Sequence, residues 1–251
     1  MDSYRSFASF YDELMEDARY SDRCEHFLEL LKRHCHECGS TLDLACGTGS
    51  FTLELRRRGV DVFGVDGSVE MLSEAMQKCL AEGEHVLFVN QQMQELELAA
   101  PVDTCVCTLD SLNHITDVEE LRRTFEGVAR YLNSGGLFVF DVNTVYKHRQ
   151  VLGNNAFVLE NEHVFCAWQN TLAEDDVVEI DIDFFEEQED GAYARYSESF
   201  AERAYSDAQL RELLESAGFT VEAVYGDLSF DAPKPDEQRV IYVARKEEIN
   251  G

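Results

Sequence analysis

A chain of 251 residues, 45% hydrophobic and 28% charged, is long enough for one large domain or one domain with an insertion, and its 16 Phe, 10 Tyr and 3 Pro exclude a low-complexity chain. Fifty acidic against 21 basic residues leave a net charge of −29, a field that repels phosphate backbones and argues against a nucleic-acid partner. No apolar run approaches the roughly 20 residues that cross a bilayer, and the acidic start MDSYRSFASFYDELMED lacks the apolar segment of an export signal, so the expectation is a cytoplasmic protein with no membrane partner, monomeric or homodimeric.

The first residues place Tyr4, Phe7, Ala8 and Tyr11 on one helix face, which fits either a core stripe or a lid. Residues 22–36 follow with the apolar spacing of a helix (Phe27, Leu28, Leu30, Leu31). The same stretch carries Cys24, His26, His34, Cys35, His36 and Cys38. Cys35 and Cys38 have the spacing of half a zinc site, but no second pair follows, so no metal is expected and the 8 cysteines are read as reduced thiols.

From residue 41 strands and helices alternate. Thr41–Ala45 reads as a buried strand, 50–58 as a helix stopped by Gly59, and Val60–Val65 as a second strand. Ser68 is positioned to cap a helix over 69–81, Val86–Val89 and Asp103–Leu109 read as strands, and Thr116 with Glu119 reads as a capping box opening a helix to about 132. Asn133–Gly136 then turns the chain into a fifth strand, Leu137–Val142. Such alternation predicts an α/β fold, a doubly wound Rossmann-like sheet that is mostly parallel.

After residue 143 the period changes to two. Stretches near 157–168, 177–185 and 192–203 read as strands, the middle one setting Val178, Ile180, Ile182 and Phe184 against Glu179, Asp181 and Asp183. The acidic run from Glu174 to Asp190 is read as a solvated strand face. The predicted organisation is a core over 1–143, a small antiparallel β insertion over 144–204 on the substrate side, and a return to the core over 205–251. That last part opens with a Ser206–Gln209 capping box and closes with strands near 220–225 and 239–244, completing a seven-stranded sheet.

Chemistry in such a sheet belongs above the carboxyl ends of the strands. The loop Leu42-Asp43-Leu44-Ala45-Cys46-Gly47-Thr48-Gly49 has two glycines in a strand-to-helix turn, and Asp66 ends the second strand 19 residues beyond Gly47, where an acidic group meets ribose hydroxyls. Thr52 stands where a dinucleotide fingerprint would place its third glycine. The pattern points to a nucleoside-type ligand; the missing glycine counts against a nicotinamide-dependent oxidoreductase, which stays as an alternative together with a non-catalytic nucleoside-binding protein.

The stretch LDLACGTG at 42–49 resembles motif I of class I S-adenosylmethionine-dependent methyltransferases, and the whole chain is similar to their bacterial small-molecule branch. Phe7–Met15 (FASFYDELM), Asp110–His114 (DSLNH) and Gly135–Asn143 also carry the resemblance. It implies methyl transfer from S-adenosyl-L-methionine to a small-molecule acceptor by in-line displacement. It further implies Asp43, Ala45, Cys46, Gly47 and Gly49 around the methionine portion, Asp66 on the ribose hydroxyls, and Gly67, Met71 and Met93 around the adenine. Gln92 departs from the family's usual Asp but still offers an amide oxygen. Leu109, Asp110 and Ser111 would border the sulfonium, with Tyr4 and Tyr11 on a lid. Asp110, His114 and Tyr11 are the candidate catalytic groups, and Asp141, also at a strand end, is either a further one or a partner of an adjacent helix terminus. Trp168, Tyr193, Tyr196, Tyr205, Arg195 and Arg203 are further candidates for contact with an acceptor.

Overall fold

A computed structural model describes residues 19–160, 164–188 and 190–247. The predicted lid with Tyr4 and Tyr11 lies outside the described residues.

Helix α1 (Tyr20–Arg33) buries Cys24, Phe27, Leu30 and Leu31, spaced three and four apart on one face. Strand β1 (Ser40–Leu44), helix α2 (Ser50–Arg57), strand β2 (Asp61–Asp66), helix α3 (Val69–Ala81) and strand β3 (Phe88–Asn90) form the first two crossover units. Strand β4 (Val102–Cys107), helix α4 (Val118–Tyr131) and strand β5 (Leu132–Asn143) complete the parallel half. Helix α5 (Asp207–Ser216) leads to β10 (Phe219–Gly226) and β11 (Arg239–Lys246), after the insertion strands β6–β9. The main sheet runs β10-β11-β5-β4-β1-β2-β3, with β11 antiparallel to both neighbours. Parallel strands β1 and β4 are neighbours, with β2 on the far side of β1, so the connections leave β1 and β4 in opposite directions and open a crevice at their carboxyl ends.

Two apolar layers cover the sheet. Cys105, Cys107, Phe138 and Phe140 meet Leu121, Phe125, Leu210 and Leu214 on one face, while the intervening Val106 and Val139 meet Phe27, Leu31 and Leu55 on the other. The period of two along β4 and β5 thus fills both layers at once.

The insertion is a four-stranded sheet of its own, β6-β7-β8-β9, antiparallel throughout. Its strands are β6 (Ala156–Glu160), β7 (Val164–Leu172), β8 (Val177–Glu187) and β9 (Tyr193–Arg203). The expected single strand over 157–168 is therefore two, interrupted in sequence by the polar Asn161-Glu162-His163. On β8 Val178, Ile180, Ile182 and Phe184 are buried, and Glu179 and Asp181 face solvent.

Local capping follows the sequence at Ser68, whose Oγ accepts the Met71 N–H, and at Ser206, whose capping box with Gln209 is complete. It departs at α4. The cap is Asp117, not Thr116, because the Asp117 carboxylate accepts the N–H groups of both Glu119 and Glu120 at the positive end of the helix. The Thr116 carbonyl accepts instead from Arg203. Strand β5 begins at Leu132, earlier than the predicted Leu137, since Leu132 already pairs with Val102. The sequence pattern also missed a π-helical turn at Lys147–Leu152, closed by the Gly153 N–H on the His148 carbonyl. No helix among the described residues is long and apolar enough to cross a membrane.

Candidate active site

The strand-to-helix turn after β1 is built on left-handed backbone. Ala45 has φ 57°, Gly47 φ 53° and Gly49 φ 71°. A Cβ at Gly49 would lie 2.8 Å from the Ala75 Cβ, so the turn packs against α3 only without a side chain there. A Cβ at Gly47 would meet nothing, which leaves backbone open to the crevice. Behind the turn the buried Asp43 accepts a 2.5 Å hydrogen bond from the Thr52 hydroxyl, and burial lifts its carboxyl to about 7. Thr52, the residue that breaks the glycine fingerprint, is thus the partner of the motif's own acid.

Asp66 ends β2 with its carboxylate facing the same crevice. Its oxygens accept the Gly47 N–H and the Ser68 N–H, both at 2.8 Å. Burial raises its pKa while those two donors pull it back. The Gln92 side chain lies against Gly67, with its amide nitrogen 2.6 Å from where a Gly67 Cβ would stand.

The third wall is the segment after β4. Leu109 and Asp110 both adopt left-handed backbone (φ 57° and 54°), a conformation costly for residues with a Cβ. The buried Asp141 carboxylate accepts both of their N–H groups at 2.8 Å, and Arg239 donates to Asp141 at 2.5 Å and to Asp110 at 2.9 Å. The Asn143 amide donates to the other Asp110 oxygen at 2.5 Å. Arg239 and Lys147 hold the Asp110 carboxyl below its ordinary range against the burial that opposes them, so it stays ionised. His114, with 47% of its side chain accessible, faces the cleft, and desolvation lowers its pKa against the opposing pull of Asp110 and Asp66.

These walls enclose one cleft of about 590 Å³. It brings together Ala45, Gly47, Asp66, Gly67, Met71, Gln92, Met93, Leu109, Asp110, Ser111 and His114. Asp43 and Cys46 border an adjoining hollow with Ala45, Gly47 and Tyr20, and Gly49 caps α2 beside it. The opposite wall of the cleft is the small sheet, through Cys166, Trp168, Ile182, Phe184, Glu198, Phe200 and Glu202.

Of the aromatic and basic residues singled out on the insertion, only Trp168 lines the cleft. Tyr205 is buried and donates to the Ile115 carbonyl at 2.5 Å, Arg195 pairs with Asp183 on the outer face, and Tyr193 is exposed. Asp141 faces away from the cleft and positions Leu109 and Asp110. Sequence reasoning missed Glu198, Glu202, Asn143, Lys147, His148 and Arg239. For the two glutamates the signal was present: Tyr196, Glu198, Phe200 and Glu202 alternate on β9 opposite Phe184, Ile182, Ile180 and Val178. The Cys24–Cys38 segment disperses. His26 stacks on Phe230, His34 meets Glu222 and Tyr225, and His36 meets Thr104. No cluster of three or more metal-ligating side chains forms among the described residues.

A Rossmann-like sheet with an acid closing β2 beside a glycine turn is the geometry of a nucleoside-binding site, and comparison with known proteins names the family. The methyltransferase domain family model matches residues 41–136. A predicted methyltransferase of Geobacillus sp. (strain WCH70) is 34% identical over 247 residues, covering 97% of this chain and 100% of its own. A glycine/sarcosine N-methyltransferase of Aphanothece halophytica is 26% identical over 252 residues, covering 96% of this chain and 88% of its own. The solved structure of an S-adenosylmethionine-dependent methyltransferase from Clostridium acetobutylicum is 32% identical and superposes with a TM-score of 0.89, covering 98% of this chain and 99% of that one. The chain belongs to the class I S-adenosylmethionine-dependent methyltransferases and is an enzyme that uses S-adenosylmethionine. The nicotinamide and non-catalytic readings are set aside.

Proposed function

We propose that the protein transfers a methyl group to a small-molecule acceptor seated between the Leu109–His114 segment and the insertion sheet. The carrying observation is the continuity of the cleft, which runs from Asp66 past Asp110 to Trp168 with no wall between its two halves. Its size suits two modest molecules side by side better than a macromolecular surface. The glycine/sarcosine relative, named for small amino acids as acceptors, supports the same reading.

In this assignment the lone pairs left on the Asp66 carboxylate accept the ribose hydroxyls, and its two backbone donors fix its orientation. Gly67, Met71 and Met93 flank the adenine ring, with the Gln92 amide at its edge. Asp43, Ala45, Cys46, Gly47 and Gly49 shape the methionine end, where the turn without a side chain at Gly47 lets backbone approach the ligand. Leu109, Asp110 and Ser111 border the sulfonium, and the ionised Asp110 suits its positive charge. Tyr4 and Tyr11 complete the assignment from outside the described residues. The bound cofactor supplies an electrophilic methyl on a positively charged sulfur. The chain's part is alignment: holding both reactants at near-attack distance supplies about 7–11 kcal/mol of the barrier reduction. His114, facing the cleft, and Tyr11 are the polar groups assigned to the reacting end.

The test uses methyl-labelled S-adenosylmethionine with cell extract as the source of acceptors, divided into a small-molecule filtrate and a macromolecular fraction. Label in a product of the filtrate supports the reading. Label confined to protein or nucleic acid contradicts it.

A further inference from the structure

The acceptor half of the cleft has a charge pattern that its apolar lining does not explain. No lysine or arginine lines the cleft among the described residues, yet Glu198 and Glu202 both face into it from β9, opposite Ile182 and Val178. Glu198 is lifted by burial, with no opposing cation. Glu202 is only 6% exposed and sits at the centre of a polar knot drawn from five elements. Its Oε1 is 3.8 Å from the His114 Nε2, and its Oε2 accepts the Asn143 amide at 3.3 Å. Lys147 donates to the Asn143 oxygen at 2.9 Å, and Arg239 is already engaged by Asp110 and Asp141.

Behind Glu202 stands an orphan. His148 is fully buried, and its Nδ1 donates to the Asp176 carbonyl at 2.8 Å, so in the neutral ring Nε2 carries a lone pair. That Nε2 has no hydrogen-bond partner and lies 3.8 Å from the Glu202 Oε2. A buried acceptor aimed at a carboxyl fits a carboxyl that carries a proton for part of its working cycle.

We infer that the acceptor is a protonated amine, that Glu198 and Glu202 receive its ammonium group, and that Glu202 takes the proton that must leave before nitrogen can attack. The inference rests on the small-molecule reading of the cleft. As the ammonium seats, Glu202 gives up the proton it carries in the free enzyme to solvent; in the step that follows, an N–H bond breaks and an O–H bond forms on the Glu202 carboxylate, the electron pair staying on nitrogen. That pair then forms the N–CH3 bond as the S–CH3 pair returns to sulfur, and the methylated ammonium product leaves with the charge. Trp168 and Phe200 supply flat apolar contact for the rest of the acceptor.

The electrostatics agree. Burial and the neighbouring Asp110 push Glu202 up to about 8, against the lowering effects of Lys147, Asn143 and Arg239, with His114, His148 and Glu198 the other titratable groups around it. A carboxyl there lies within about two pH units of an alkylammonium, where an ordinary glutamate lies about six away. Proton transfer to it is correspondingly less uphill.

The test exploits the protein's only tryptophan, Trp168, which lines this half of the cleft. Enzyme loaded with S-adenosylhomocysteine is titrated with benzylamine, benzyl alcohol and benzoate, following Trp168 fluorescence, and benzylamine binding is repeated by calorimetry in two buffers of different ionisation enthalpy. Benzylamine should bind about tenfold or more tighter than the isosteric alcohol. The preference should shrink in Glu198→Gln and in Glu202→Gln. About one proton should be released per benzylamine bound near neutral pH, and none in Glu202→Gln; a merely structural Glu202 would not move this readout. Equal binding of amine and alcohol, preference for benzoate, or no proton release overturns the inference while leaving the small-molecule cleft intact. A Trp168 silent to all three ligands overturns both, and the wild-type titrations decide this even if a variant fails to fold.

Discussion

Replacing Asp141 tests how the cleft wall is held. Its buried carboxylate carries three contacts: the Leu109 and Asp110 N–H groups, both at 2.8 Å, and Arg239 at 2.5 Å. Asp141→Ala removes all three, leaves Arg239 buried with Asp110 alone, and frees two left-handed residues from the donors' anchor. Hydrogen bonds to a charged group contribute about 1.5–3 kcal/mol each but do not add, and breaking a buried ion pair costs about 3–5 kcal/mol. Relaxation of Leu109 and Asp110 out of the left-handed region returns about 1–2 kcal/mol of strain apiece at most. The expected net loss is about 3 kcal/mol, a fall in Tm of about 6–12 °C for a chain of this size. Asp141→Asn keeps one acceptor oxygen but turns an NH2 toward donors, and should lose about as much. Urea unfolding followed by circular dichroism measures the loss, and S-adenosylhomocysteine affinity should fall with it because Leu109 and Asp110 line the cleft. A loss below about 1 kcal/mol with unchanged affinity would refute the anchoring role.

Two further perturbations bear on buried carboxyls. Thr52→Val leaves the Asp43 carboxylate without its 2.5 Å donor and should cost about 1–3 kcal/mol by urea unfolding. Because burial already raises Asp43 to about 7, the folded state binds more protons than the unfolded chain between the ordinary aspartate range and neutrality. Stability therefore falls as pH rises through that window, and the variant, whose carboxyl has lost the donor that lowers it, should go on losing stability to higher pH than the wild type; a decline that ends at the same pH in both would contradict the assignment. Glu202, raised to about 8, acts with the same sign: its contribution is complete below the ordinary glutamate range and is lost as pH rises through about 8. Urea midpoints at about pH 5 and about pH 9 should lie closer together in Glu202→Gln than in the wild type, and an unchanged gap would count against the buried protonated carboxyl.

The candidate cofactor half of the site can be read in the sequence because its residues are local. The glycines, Asp43 and Asp66 sit within one strand–helix–strand unit, and the period-two alternation of Val178–Phe184 announced an antiparallel sheet with one buried face. What was not legible depends on distant pairings. Arg239 reaches Asp110 across 129 positions, and Asn143 reaches Glu202 across 59, so nothing in either neighbourhood marks the contact. Glu198 and Glu202 alternate with Tyr196 and Phe200, but only the register of β9 against β8 shows that this is the buried face. The acidic stretch that drew attention in the sequence, from Glu174 to Asp190, is not the one that lines the cleft. The Asp117 cap was missed because Thr116 and Asp117 both fit the pattern, and only the backbone geometry selects between neighbours.

The assignment of the cofactor half stands or falls on Asp66. Calorimetric titration of S-adenosylmethionine and S-adenosylhomocysteine into the wild type and Asp66→Ala, with NAD as control, measures it directly. The account predicts binding of both sulfur nucleosides to the wild type and none of NAD. It also predicts affinity about 100-fold weaker in Asp66→Ala, as the loss of two hydrogen bonds to a carboxylate implies. Undiminished binding by Asp66→Ala would contradict the placement of the ribose at the end of β2.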